Sequence, residues 1–307
     1  MKANWQALLI VAAITAVSLQ ARADNHYRDN TPDSARGKPA NHMTLNLALI
    51  QAAEKGWTDD IVKYLEQGAN VSARNRFGGT PLLLAAGNGH RKAVKLLLDA
   101  GSDINHRNLA GSTPLISAAE GGHRRVAGML IEAGAAVEAV NNRGVSALAA
   151  AAFNGDDDVV ELLLAKGADA NHVDRTGKSA IVYAAAKGFS ESVQLLLKAG
   201  VAADTRYGND LTALIWAAGH ANDVPVGDGI ATVTVLIEHG ATVDLQDDRG
   251  RTALMYAAQM GHAGVVKHLI AAGASTGIAD KDGKTARDLA AAAARDGIVA
   301  LLAATPR

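Results

Sequence analysis

Apolar positions along this 307-residue chain fall into short runs that recur with a fixed step. A Ser or Thr opens an Ala-rich run at Thr80, Thr113, Ser146, Ser179, Thr212, Thr252 and Thr285, spaced 33, 33, 33, 33, 40 and 33 residues. The Ala pairs keep step, from Ala85-Ala86 through Ala118-Ala119, Ala151-Ala152, Ala184-Ala185, Ala217-Ala218 and Ala257-Ala258 to Ala290-Ala291. So do Gly68, Gly101, Gly134, Gly167, Gly200, Gly240 and Gly273. Three markers that share one period and one seven-residue exception describe an internal repeat.

Each marker has a physical role. A Ser or Thr hydroxyl before an apolar run caps a helix by accepting from an unpaired backbone N–H. Pro81 and Pro114 then sit at the first helical position, where a missing N–H costs nothing. The Ala pair lets that short helix approach its neighbours. A second helix is predicted over residues such as Lys92 to Asp99, with Val94, Leu97 and Leu98 at core spacing. Its counterparts are Ala127/Leu130/Ile131, Val160/Leu163/Leu164, Val193/Leu196/Leu197, Val233/Leu236/Ile237 and Val266/Leu269/Ile270. The glycine that follows can take the left-handed backbone that ends a helix. The prediction is an all-α array of helix pairs, each too small to bury its own apolar side.

The strings Thr80-Pro81-Leu82, Ala85-Ala86, Gly89-His90, Leu96-Leu97-Leu98 and Ala100-Gly101 resemble an ankyrin repeat. The resemblance recurs at Thr113-Pro114-Leu115, Gly122-His123 and Gly261-His262, and covers residues 44–307. It implies about eight helix–turn–helix units, counting both caps, with outward hairpin fingers and a solenoid whose concave groove lies along the first helices. The chain departs from the family in one slot. The His after Thr-Pro-Leu is replaced by Leu83, Ile116, Ala149, Val182, Ile215, Met255 and Asp288, which puts the hydrogen bonds of that His in doubt. Asp210 stands where a finger glycine belongs, so a distorted finger is expected there. The seven extra residues are expected to lengthen a helix–helix turn over residues 219–229. Polar Gln51, Glu54 and Lys55 suit a first cap, and Arg287 and Asp288 a last one.

The ends carry other signals. Lys2, a thirteen-residue uncharged run from Ala7 to Leu19, and Ala21-Arg22-Ala23 read as a signal peptide cut after Ala23. As a helix the run rises only about 20 Å, short of a bilayer core of about 30 Å. An uncleaved anchor is the alternative. Residues 24–43 read as a flexible lead-in. A periplasmic location is expected, with no membrane insertion once the signal is cut.

Composition narrows the chemistry. With 30 Lys+Arg against 31 Asp+Glu, the net charge is -1. Removal of residues 1–23 takes Lys2 and Arg22 and no acid, leaving 28 against 31 and a net of -3. No basic excess exists to support nucleic-acid binding. The chain has no cysteine, which excludes disulfides, thiolate metal sites and thiol nucleophiles. No H-E-x-x-H, G-x-S-x-G, G-x-G-x-x-G or P-loop string occurs. His90, His123 and His262 fill one repeat slot, so the fold explains them. Asn222, Asp223 and Asp228 in the insert invite a calcium reading, but the alternate-ligand spacing and the bidentate Glu are missing. A non-enzyme without cofactor or metal is expected.

Binding is the better hypothesis. Tyr183, Trp216 and Tyr256 share the repeat slot expected to face the groove, and Phe153 and Met260 follow the Ala pair. Aromatic and Met side chains are enriched at binding hot spots. Ordinary packing between repeats is the alternative. Finger tips carry Arg76, Phe77, Arg143, Arg175, Lys178, Arg249 and Arg251, interleaved with Asp174, Asp247 and Asp248. An acidic partner fits these cations; a solvated mixed-charge tip is the other reading. The expectation is a monomer that holds a protein partner through groove and finger tips. Exported bacterial relatives are associated with oxidative-stress defence near catalases, so the resemblance implies stress defence as one setting. The rival readings are an inhibitor or immunity protein of an exported toxin, and a metal-dependent stress protein using the insert.

Overall fold

In the computed structural model, residues 41–219 and 224–304 are described. The expected signal peptide, residues 24–40 of the lead-in, Asn222 and Asp223 lie outside them. The described residues form sixteen α-helices in eight pairs. The first members are α1 (His42–Lys55), α3 (Pro81–Gly87), α5 (Pro114–Glu120), α7 (Ala147–Asn154), α9 (Ala180–Lys187), α11 (Ala213–Ala218), α13 (Ala253–Met260) and α15 (Ala286–Ala292). The second members are α2 (Thr58–Glu66), α4 (Arg91–Asp99), α6 (Arg124–Glu132), α8 (Asp157–Ala165), α10 (Ser190–Lys198), α12 (Val226–Glu238), α14 (Ala263–Ala271) and α16 (Asp296–Ala304). First helices pack on first helices and second on second, in chain order, giving two helical layers. Among the described residues no helix is long and apolar enough to cross a membrane.

The capping pattern explains where first helices begin. Thr80, Thr113, Ser146, Thr212, Thr252 and Thr285 each accept from the backbone N–H three residues on. Ser179 departs from the prediction. At φ -110° it makes no side-chain cap bond, and its Oγ is buried. The unusual slot is apolar core: Leu83, Ile116, Ala149, Val182, Ile215 and Met255 are buried, and Asp288 closes a capping box with Thr285. Packing and a local cap replace the hydrogen bonds a His would make.

Second helices bury two of the three predicted positions and, in place of the third, the residue just before them. Ala93, Val94 and Leu97 are fully enclosed, while Leu98 is only half-buried. The same shift recurs as Val126/Ala127/Leu130, Val159/Val160/Leu163 and Val265/Val266/Leu269. Exchanging the last position for the one before the first turns the buried stripe by about half of the 100° between successive residues.

Two boundaries differ from expectation. Helix α1 starts at His42, inside the expected lead-in, because Asn41 supplies an N-cap by accepting from Met43 N–H at 3.3 Å. Its outer side exposes Met43 and Leu47, so the first cap is less polar than Gln51, Glu54 and Lys55 suggested. The extra residues are not all turn either. Val226–Gly229 form the first turn of α12, which Pro225 precedes.

Neighbouring pairs are joined where the turn inside each pair is tightest. In five places the residue before a second helix (His90, His123, Asp156, Phe189 and Arg295) lies over the left-handed glycine of the preceding pair. A Cβ on Gly155 (φ +70°) would meet the Phe189 ring at 2.6 Å. Gly167 (φ +87°) ends α8 and has nothing within 4 Å. Gly167→Ala is expected to cost about 1 kcal/mol of backbone strain. Gly155→Ala should cost clearly more, since Phe189 must also move. Urea unfolding of the two variants checks this, and equal losses would contradict it.

Candidate partner-binding face

The fingers between helix pairs are built on one repeated side chain. Asn75, Asn108, Asn141, Asp174, Asp247 and Asp280 each start a tight turn, again at the repeat spacing. Oδ1 of Asn75 accepts from Phe77 and Gly79 N–H at 2.9 and 2.8 Å, and that of Asp247 from Arg249 and Arg251 at 2.9 and 2.8 Å. Asn141, Asp174 and Asp280 bond in the same way. This is the side-chain turn that Asn and Asp favour. A sequence signal for it existed, the 33-residue recurrence of Asn or Asp before each finger glycine.

Adjacent fingers are joined by backbone bonds, from Leu109 N–H to Phe77 O at 3.0 Å, Asn142 to Ala110 at 2.9 Å and Arg175 to Arg143 at 3.0 Å. In the sixth unit Tyr207 holds the Asn/Asp slot, and the ladder slips one residue, Gly208 N–H reaching Gly177 O at 3.2 Å. Asn209 and Asp210 there take φ values of 63° and 58°, the distortion expected at this finger.

Histidines also join repeats. A ring nitrogen donates from His90 to Glu54 O at 2.9 Å, from His123 to Gly87 O at 3.2 Å and from His262 to Ala218 O at 3.0 Å. His106 and His172 reach Gly78 O and Gly144 O at 2.8 and 2.7 Å. Among the described residues no three His, Asp or Glu side chains converge as a metal site would require. Asp228, from the calcium reading, lies in the first turn of α12.

The predicted anchors separate into two kinds. Phe153 and Tyr183 are each only 7% exposed and meet edge-to-face, centroids 5.8 Å apart at 83°. Tyr183 donates to Asp174 Oδ2. Both rings floor the face, contrary to the expectation that they stand out as anchors, because α7 and α9 pack closely over their Ala pairs. Trp216, Tyr256 and Met260 are half-buried. Tyr256 is tied down, donating to Asp247 Oδ2 at 2.6 Å and accepting from Arg249 at 3.0 Å. The Trp216 indole N–H has no acceptor among the described residues, and Lys178 Nζ stands 5.6 Å from its ring centroid.

Finger cations divide likewise. Half-buried Arg251 pairs at 3.1 Å with the buried Asp280 of the next finger, and Arg249 lies 3.7 and 3.9 Å from Asp247 and Asp248. These two brace fingers. Arg76 stacks 4.6 Å from the exposed Phe77 ring. Arg143, Arg175 and Lys178 form no ion pair among the described residues.

The Tyr183–Asp174 pair makes stability pH-dependent. Burial pushes the Asp174 carboxyl up, but bonds from Tyr183, Thr176 and the Lys178 N–H outweigh it and hold the group below the ordinary 3.8. A depressed carboxyl stabilises fully above its unfolded value, and the gain is lost as pH falls through the folded one. Burial and the same bond raise the Tyr183 hydroxyl, so its share persists below its unfolded value and is lost only in strong alkali. Urea midpoints should be flat at neutral pH and fall below about pH 4, with a shallower acid fall in Asp174→Asn. An equally steep fall in that variant would count against the assignment.

A family model described as ankyrin repeats, in three copies, matches residues 49–141, 147–226 and 224–306. No curated protein matches the chain. The helix pairs, the finger ladder and this match, which spans most of the sequence, agree that the chain belongs to the ankyrin-repeat family.

Proposed function

We propose that the chain is a non-catalytic binding protein that holds a protein partner on the face made by its first helices and finger turns. One observation carries this reading. The slots that pack repeats together hold similar small or aliphatic residues throughout, whereas one first-helix slot runs Leu84, Ser117, Ala150, Tyr183, Trp216, Tyr256 and Leu289, and opens toward solvent at Leu84, Trp216 and Tyr256. Stacking does not ask for that variety; recognition does. Among these, Trp216 is half-buried beside the unpaired Lys178 cation, the amphipathic environment typical of a hot spot. A preformed rigid face limits the ordering cost of association. The segment Met1–Ala23 supports export, and the lack of cysteine suits a periplasmic protein stabilised by packing alone.

The test is in-cell photocrosslinking. A photoreactive residue at position 216 should capture a protein, and one at Lys166, on the exposed end of α8, should not. Capture from position 166 alone would refute the assignment. Amino-terminal sequencing of the exported chain should begin at Asp24.

A further inference from the structure

The fingers use up their own acids. Asp174, Asp247 and Asp280 are 7%, 6% and 6% exposed, their oxygens committed to turn N–H groups and to Tyr183, Tyr256 or Arg251. At the tips of the fingers leading into α7 and α9 the outward charges are cationic, Arg143, Arg175 and Lys178. The exposed acids Glu138 and Asp169 come earlier in those connections and accept from backbone N–H groups. The three cations are neighbours, since Arg175 N–H bonds Arg143 O at 3.0 Å and Lys178 leans over Trp216. An aromatic ring holds a cation in place without supplying a counter-charge, so that charge stays available to a ligand. Arg143 is close enough to favour the Glu120 carboxylate, and Asp210 lies on the next finger. A chain of net charge -1 thus presents a local cationic rim beside aromatic side chains.

Resting on the binding face above, we infer that the partner segment seated here is an acidic, extended polypeptide. Its carboxylates pair with Arg143, Arg175 and Lys178, and an apolar side chain lies against Trp216. Neighbouring repeats stack about 10 Å apart, and an extended chain in the polyproline-II conformation advances about 3.1 Å per residue with three residues per turn, so every third side chain shares one face. Carboxylates three residues apart therefore match adjacent fingers. Arginine suits them further by its two-pronged geometry.

The experiment is fluorescence anisotropy with labelled twelve-residue peptides on the full chain. One peptide carries Glu at every third position, one has the same composition with its Glu clustered, and one replaces Glu by Lys. The spaced acidic peptide should bind best and weaken about threefold or more between 50 and 300 mM salt. Arg143→Glu/Lys178→Glu should weaken it tenfold or more, and Arg143→Gln/Lys178→Gln by less. Lys166→Glu/Lys198→Glu, on the exposed ends of α8 and α10, should leave it unchanged. Circular dichroism establishes that each variant is folded. Equal binding of the Lys peptide, indifference to the Arg143/Lys178 changes, or preference for a thymidine twelve-mer over every peptide would each overturn the inference. Capture of a partner through position 216 that is unaffected by Arg143→Glu/Lys178→Glu would also sink it, while leaving the binding face intact. Failure to capture any protein there would remove the face itself.

Discussion

Leu163→Ala is expected to destabilise the array by about 2–5 kcal/mol, the range for a buried Leu truncated in a core that cannot collapse around the gap. Leu163 has no exposed surface and sits on α8, in the fourth of eight helix pairs. Its counterparts Leu97, Leu130, Leu196, Leu236 and Leu269 are equally enclosed. Each pair contacts only its neighbours, so stability passes along the stack through nearest-neighbour interfaces. A weak central pair therefore uncouples the two halves, and urea unfolding followed by circular dichroism should broaden or divide into two transitions. Leu302→Ala makes the same chemical change on α16, which among the described residues has a neighbouring pair on one side only. It should fray that end and cost less. Equal losses at both positions, or a single sharp transition in Leu163→Ala, would contradict nearest-neighbour stacking.

Asp247→Ala should cost about 2–3 kcal/mol, although the residue lies in a finger and not in the apolar core. One oxygen serves two backbone N–H groups, and the other accepts from Tyr256 Oη at 2.6 Å. Removing the carboxylate strands those donors and leaves Arg249 without its nearest counter-charge. Asp247→Asn should cost under about 1 kcal/mol, because an amide oxygen can accept the same two bonds. Asn75, Asn108 and Asn141 perform that task in earlier fingers. Melting temperatures of the two variants, measured at pH 7, decide the matter. A large loss in Asp247→Asn would mean that the charge matters more than the turn.

Much of the fold was legible because it is local. Thr113 caps its helix, Pro114 follows it, and the Ala pair marks close contact, all within one period of chain. Asp157 and Asp158 lie in the first turn of α8, as a helix dipole favours. The finger turns were equally local, and the Asn/Asp recurrence simply belongs to a different reading of Asp174 and Asp247. Acids beside arginines suggest surface charge; burial shows them to be turn-formers.

The candidate site was legible only in outline. The slot shared by Tyr183, Trp216 and Tyr256 follows from the period, so the sequence places all three along one line of first helices. Their exposure does not follow, since it depends on what the adjacent repeat contributes. Phe153 packs on Tyr183 and lowers both into the floor, while Trp216 follows a finger that lacks the usual turn residue.

Amino-acid order by itself determined the number of repeats, the helix starts and the position of the insert, because each depends on residues within a few turns of one another. Tertiary packing alone decided which charges face outward. Arg251 and Lys178 occupy the same finger slot, four residues after the turn Asp, yet one pairs with Asp280 at 3.1 Å and the other makes no ion pair among the described residues and leans over Trp216. A charge is neutralised by a partner through space, and that partner lies on the next finger, 29 residues away along the chain.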